Sequence, residues 1–353
     1  MAQHALSKGF WYDITHKSRM TKEEYLGMIN KITLFISIVF ILSLVVFIVL
    51  AYLGNFDAVV STMLSANLLI YSLAFVAVFF AIALKFGKWS YYLKILKVRV
   101  SAKKSFPAYT SMYSMDLTPG KIGRVVAAYT MNRISNMRFI SILPIVTLDI
   151  FTDFLGSAIL ALLVAIYMNQ FIIEVFIVDV VLLIPFLFLL HPWFYDMLKK
   201  LIKKSKYFRM FSIYGDEYFL AQNRLNKFSV YFVSLVFTLP AAFLISSAMY
   251  FSILSIGIHP QLSQSVFVFS ISDVIGMVST LPGQIGATDG SMIALLGSIM
   301  HLSAATSSAV TIMTRIASLW FGLLVGGIAL FYTIRFWNPK PGELKSKRTR
   351  KRR

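Results

Sequence analysis

Residues 228–254 read FSVYFVSLVFTLPAAFLISSAMYFSIL, a run of 27 residues without one charged side chain. As a helix it would reach about 40 Å, more than the roughly 30 Å of hydrocarbon in a bilayer. It offers water no polar face, so the stretch predicts a membrane-spanning helix. Working outward, comparable apolar stretches lie at 32–53, 61–84, 138–168, 170–190 and 304–334. Composition agrees: 58% of the 353 residues are hydrophobic and 14% charged, where a soluble domain carries about 25% charge. No polar stretch is long enough for a separate soluble enzyme domain. The expected fold class is all-α, a polytopic membrane helical bundle. It comprises an N-terminal segment 1–31, a transmembrane domain 32–337 and a basic tail 338–353.

The net charge of +19 is concentrated in a few places. Lys85, Lys88, Lys94, Lys97, Arg99, Lys103 and Lys104 fall within 85–104, which holds no acid. Eight Lys and Arg fall within 191–227 against three acids, and the last seven residues are almost all basic. The connections near 54–60, 167–170 and 255–262 have no Lys or Arg. Positive loops stay cytoplasmic, so both termini are expected on the cytoplasmic side of the cell membrane. The basic runs are expected to be solvated loops, with affinity for anionic headgroups at 199–206 and in the tail. Nucleic acid is not an expected partner, because no stacking aromatics accompany the tail. The first 31 residues are mixed polar, and no cleavable leader is expected.

Segments 106–130 and 263–301 are moderately apolar but interrupted by Pro-Gly. All basic loops share one side only if each of these segments enters and leaves on the same face. Two re-entrant hairpins from opposite faces are therefore expected, as in an inverted-repeat transporter. Their centres resemble each other: Thr118-Pro119-Gly120-Lys121-Ile122-Gly123 and Leu281-Pro282-Gly283-Gln284-Ile285-Gly286 both contain Pro-Gly-x-Ile-Gly. Proline breaks a helix and glycine admits a positive φ. At membrane depth such a break is tolerated only inside protein or beside a wet cavity. It also exposes half-helix N-termini suited to an anion.

Charges inside apolar segments are expensive and mark cavities or partners. Asp149 and Asp153 lie four apart on one helix face. Arg315 interrupts the 304–334 stretch, and Asp289 closely follows the second Pro-Gly. Asp273, Glu174 and Asp179 are further acids within these segments, and Arg124, Arg133 and Arg138 follow the first motif. Arg315 is expected to pair with Asp289 or with an anionic substrate. Asp149 and Asp153 fit either an acid/base pair or a coupling-cation site. There is no cysteine, and the five histidines are scattered. No metal site, cofactor or Ser-His-Asp arrangement is expected.

From Leu281-Pro-Gly-Gln-Ile-Gly-Ala-Thr-Asp289 onward the chain resembles the lysylphosphatidylglycerol synthase transmembrane, or flippase-like, family. Thr314-Arg315 with Leu319-Trp320-Phe321-Gly322, the segment Thr118–Gly123 with Ala128-Tyr129, and Leu148-Asp149-Ile-Phe-Thr-Asp153 extend the resemblance over about 110–330. Arg124 stands where the family often has an acid, and Ala127 where it often has Arg. Asp289 replaces Glu and Gln284 replaces Gly. The resemblance implies lipid translocation. The sequence stops at Arg353 with no aminoacyl transferase domain, so lipid aminoacylation is not expected.

The leading expectation is a translocator of an anionic phospholipid or lipid-linked headgroup, a transporter rather than an enzyme. Pro119, Gly120, Lys121, Gly123, Pro282, Gly283, Gln284 and Gly286 would form the turns, whose non-proline residues would offer backbone donors. Arg315, with Arg124 or Lys121, would neutralise phosphate. Asp149, Asp153 and Asp289 would order the cavity or bind a cation. Membrane lipids are the expected partners, with a separate lipid-modifying enzyme as a further candidate. Two alternatives stay open: a membrane-embedded transferase on a lipid phosphate, and a small-solute secondary transporter.

Overall fold

The computed structural model describes residue 41 and residues 44–49, 51, 52, 54–135, 137–190 and 209–336. The segment 1–31, most of the 32–53 run, the basic loop at 191–208 and the tail 338–353 lie outside the described residues. Among those described, the ordered elements are all helical. In chain order they are α1 (Phe56–Leu64), α2 (Leu68–Ile95), α3 (Ala102–Thr110), α4 (Val125–Ile134), α5 (Phe139–Met168), α6 (Ile172–Leu190) and α7 (Arg209–Leu225). Then follow α8 (Phe228–Ser255), α9 (Leu262–Ser279), α10 (Ala287–Met300), α11 (Ala304–Arg315) and α12 (Phe321–Phe336).

Among the described residues, five helices are long and apolar enough to cross a membrane: α2, α5, α8, α9 and the continuous Ala304–Arg335. The chain is a multi-pass membrane protein. Three spans fall where uninterrupted apolarity places them, at Phe139–Met168, Phe228–Ser255 and Ala304–Arg335. α2 departs from expectation. It starts at Leu68, where the Asn67 carboxamide oxygen accepts from the Leu69 and Ile70 N–H groups at 3.0 and 3.3 Å. It then runs through Lys85, Lys88 and Lys94 to Ile95. The first basic run is thus partly helix, and Lys85 and Lys88 are buried rather than solvated.

α5 and α9 are the inner helices, each with 56% of its most apolar window buried, against 28% for α8. α8 lies along α2 and also meets α5 and α9. One face of α2 exposes Leu69, Leu73, Val76 and Phe80, a surface suited to lipid. α7 packs on α5, joined by an Arg138–Glu217 ion pair and by Tyr218 Oη donating to Thr147 at 3.3 Å.

The two Pro-Gly segments adopt a common form. α3 and α4 pack together on either side of the first break, and α9 and α10 on either side of the second. At about 21 Å and 15 Å, α10 and α4 are shorter than the hydrocarbon core. The turns also share a backbone. Thr118 and Leu281 are extended, and Gly120 and Gly283 have φ of 57° and 60°. Lys121 and Gln284 follow, also left-handed, at 57° and 60°.

The turns meet each other. A Cβ on Gly283 would stand 2.7 Å from Leu117 Cδ2, so both the positive φ and the close approach require glycine there. Leu117 and Ile285 share an apolar cluster with Trp320 and Leu323. One long helix reaches both segments. Arg315, at the end of α11, bonds the second turn. Gly326 of α12 abuts the 3₁₀ turn Ser111–Met115, where an added Cβ would lie 2.2 Å from Ser114 N. Between them, residues 316–320 form a π-helical turn, an irregularity frequent at functional sites.

Candidate functional site: a charged cleft between two Pro-Gly turns

A cleft opens beside the paired turns. Its walls are Val78 and Ile82 of α2, Ala242 and Ile245 of α8, and Phe269 and Met277 of α9. Both turns contribute the third residue of Pro-Gly-x-Ile-Gly, Lys121 and Gln284. The remaining polar lining is chiefly Lys85, Asp116, Arg124, Asp273 and Arg315.

Behind the cleft lies a buried ion network. Asp153 is contacted by Lys85 Nζ at 3.0 Å, Lys88 Nζ at 2.9 Å and Arg124 Nη1 at 3.0 Å. Asp149 is contacted by Lys88 at 3.0 Å and Arg124 at 3.4 Å. Arg124 also grips Asp116 with two parallel bonds, Nε–Oδ1 at 2.6 Å and Nη2–Oδ2 at 2.8 Å, and lies 5.2 Å from the centre of the Tyr113 ring. Lys88 further donates to Thr152 Oγ1 at 3.0 Å, and Tyr92 donates to Ser234 at 2.7 Å. Three cations thus face three carboxylates. In a low-dielectric interior such pairing offsets part of the desolvation cost, whereas an unpaired buried charge costs several kcal/mol.

The second turn has its own anchor. Arg315 Nε lies 2.9 Å from Asp289 Oδ1, and Nη2 donates to the Gly283 carbonyl at 2.6 Å. The other Asp289 oxygen accepts the Gly286 N–H at 2.8 Å and caps α10. Each Pro-Gly segment is therefore ion-paired to the helix that follows it, with opposite polarity: Arg124 to Asp149 and Asp153, Asp289 to Arg315. Arg124 is balanced locally by Asp116.

These contacts revise several expectations. Four of the turns' backbone donors are already engaged. Lys121 N–H bonds the Thr118 carbonyl, Gly123 N–H the Thr118 hydroxyl, Gln284 N–H the Leu281 carbonyl and Gly286 N–H Asp289. These four are not open for an anion. Arg124 and Arg315 carry charges already neutralised by carboxylates. Asp149 and Asp153 are held by lysine and arginine, so neither is a free base. Pro119 and Gly120 are exposed rather than part of the lining, whereas Lys121 is half-buried and lines the cleft. Lys121 forms no ion pair among the described residues.

Both Pro-Gly turns lie within residues 35–326, the span that matches the family described as lysylphosphatidylglycerol synthase TM region. The chain belongs to that family. A protein of Methanothermobacter thermautotrophicus, described as a UPF0104 membrane protein, is 26% identical to it over 289 residues. The similarity covers 74% of this chain and 84% of the relative. In this lysylphosphatidylglycerol synthase TM chain, Lys85, Lys88, Asp116 and Tyr113 join the site although sequence reasoning did not select them. One signal was available: Lys85 and Lys88 stand one turn apart, continuing an apolar helix through Trp89, Tyr92 and Leu93.

Proposed function

We propose that the protein translocates a phosphate-bearing lipid headgroup across the cell membrane, with the acyl tails remaining in the bilayer. The observation that carries this is the lining of the cleft. Between apolar walls, Lys121 makes no ion pair among the described residues and has Asp273 as the carboxylate acting on it most strongly, while the neighbouring cations are in direct contact with carboxylates. An ammonium with no carboxylate in contact with it favours an anionic group in such surroundings. Membership of the lysylphosphatidylglycerol synthase TM family supports a lipid-related role.

In this proposal the two Pro-Gly segments are re-entrant hairpins of an inverted repeat, α9 turning back through the shorter α10 instead of completing a crossing. Both termini face the cytoplasm. The shared turn backbone and the oppositely polarised anchors support the repeat. The transferase alternative needs a free general base, and the engagement of Asp149 and Asp153 by cations weighs against it.

The test is movement of fluorescent phospholipids of defined headgroup in reconstituted vesicles. Protein-dependent, headgroup-selective movement is expected. Rates equal to those of empty vesicles for every phosphate-bearing lipid would overturn the proposal.

A further inference from the structure

The acidic and basic residues lining the cleft are Lys85, Asp116, Lys121, Arg124, Asp273 and Arg315. Four of them are paired: Lys85 with Asp153, Asp116 with Arg124, and Arg315 with Asp289. Two are not, among the described residues. Lys121, from the first turn, contacts no carboxylate, although Asp273 acts on its charge across the cleft. Asp273, from α9, receives only the Ser157 hydroxyl, at 2.8 Å on Oδ2. The cleft thus presents one cation and one carboxylate, from the two Pro-Gly segments, that face each other between apolar walls without a direct ion pair, leaving room for a ligand that engages both.

A carboxylate is a poor neighbour for a phosphate unless something donates to it. A headgroup that was phosphate alone would satisfy Lys121 and leave Asp273 facing a like charge. A phosphodiester extended by a hydroxyl or an ammonium satisfies both, because the added group donates to the carboxylate. We infer that Asp273 is a specificity-determining residue, which selects phosphodiester headgroups bearing a hydrogen-bond donor beyond the phosphate. Lys121 holds the phosphate of every such lipid. The inference deepens the lipid-translocation proposal and rests on it for the identity of the ligand as a lipid.

The carboxylate does not distinguish hydroxyl from ammonium by geometry alone, so the experiment separates them. Purified full-length protein is equilibrated with phosphatidylethanolamine, phosphatidylglycerol and phosphatidylmethanol of identical acyl chains, and bound lipid is read by native mass spectrometry. Phosphatidylmethanol carries the same charge as phosphatidylglycerol and no donor. Wild type should retain one or both donor-bearing lipids at least about tenfold better than phosphatidylmethanol, the scale of one charge-assisted hydrogen bond.

Asp273→Asn keeps the shape and an acceptor for Ser157, and should cut that preference to about threefold or less. Lys121→Gln should lower retention of all three lipids alike. Preference for phosphatidylethanolamine identifies the ammonium as the group read, and preference for phosphatidylglycerol the hydroxyl. Equal retention of all three lipids by wild type, or an undiminished preference in Asp273→Asn, would overturn the inference. Binding is measured without transport. Selective retention without translocation would therefore sink the functional proposal alone, and translocation without selectivity would sink this inference alone.

Discussion

Lys88 offers the sharpest test of the buried network. Its side chain and that of Asp149 are both fully buried, with Nζ 3.0 Å from Oδ1, and Asp153 lies 2.9 Å away on the other side. For unit charges at that separation, Coulomb's law with an effective dielectric of about 20 gives roughly 5–6 kcal/mol. Desolvation of both ions offsets part of this, and breaking a buried pair from one side typically costs about 3–5 kcal/mol. Lys88→Met leaves three carboxylates against two cations, so a loss of about 3–5 kcal/mol is expected. Adding Asp149→Asn restores the charge balance, and the double variant should come within about 2 kcal/mol of wild type. Unfolding in detergent, followed by tryptophan fluorescence for the complete double-mutant cycle, reads both quantities. A solvated Lys88 in a cytoplasmic loop would make the single substitution nearly silent, within about 0.5 kcal/mol. A silent single variant, or a double variant no more stable than the single, would refute the reasoning.

Other consequences follow from the same contacts. Arg315→Ala strands a fully buried Asp289 carboxylate and the Gly283 carbonyl, so a stability loss of about 3–5 kcal/mol is expected, partly recovered by Asp289→Asn. The same unfolding assay measures it. Gly326→Leu forces side-chain atoms against the Ser114 and Tyr113 backbone and should destabilise by more than about 3 kcal/mol. Gly327→Leu, where nothing lies within 4 Å, should be nearly neutral. Size-exclusion profiles after graded heating distinguish the two glycines.

The parts of the fold legible in the sequence were those governed by local physics. Runs such as 138–168 and 228–254 have one stable solution in lipid, a helix, and the structure puts helices at Phe139–Met168 and Phe228–Ser255. The Pro-Gly breaks were legible for the same reason, since proline and glycine act on their own turn. The limit of α2 was not. Lys85 and Lys88 looked like the end of a span because their neutralising partners lie on α5, more than 60 residues on. Pairing across such a distance leaves no local mark. The same effect hid the state of the site: Arg124, Asp149, Asp153 and Arg315 were recognised as unusual, but which of them neutralise one another depends on tertiary geometry. Asp116 was overlooked because it stands outside both motifs, although it forms the closest ion pair to Arg124. Lys121 and Asp273 emerged as the uncommitted pair only by elimination, once the other partners were assigned.

The central claim is that a phosphate-bearing headgroup crosses the membrane by way of the Lys121 cleft. Its most direct test compares wild type, Lys121→Gln and Lys121→Arg in proteoliposomes, reading initial rates of fluorescent phosphatidylglycerol movement at matched protein content. Lys121 is half-buried and makes no ion pair among the described residues, so both variants should fold. Gln should slow movement at least about tenfold, the scale of one lost charge-assisted contact, while Arg retains most of it. Equal rates for wild type and Lys121→Gln would contradict the account, placing the passage elsewhere or removing lipid movement from the protein's work.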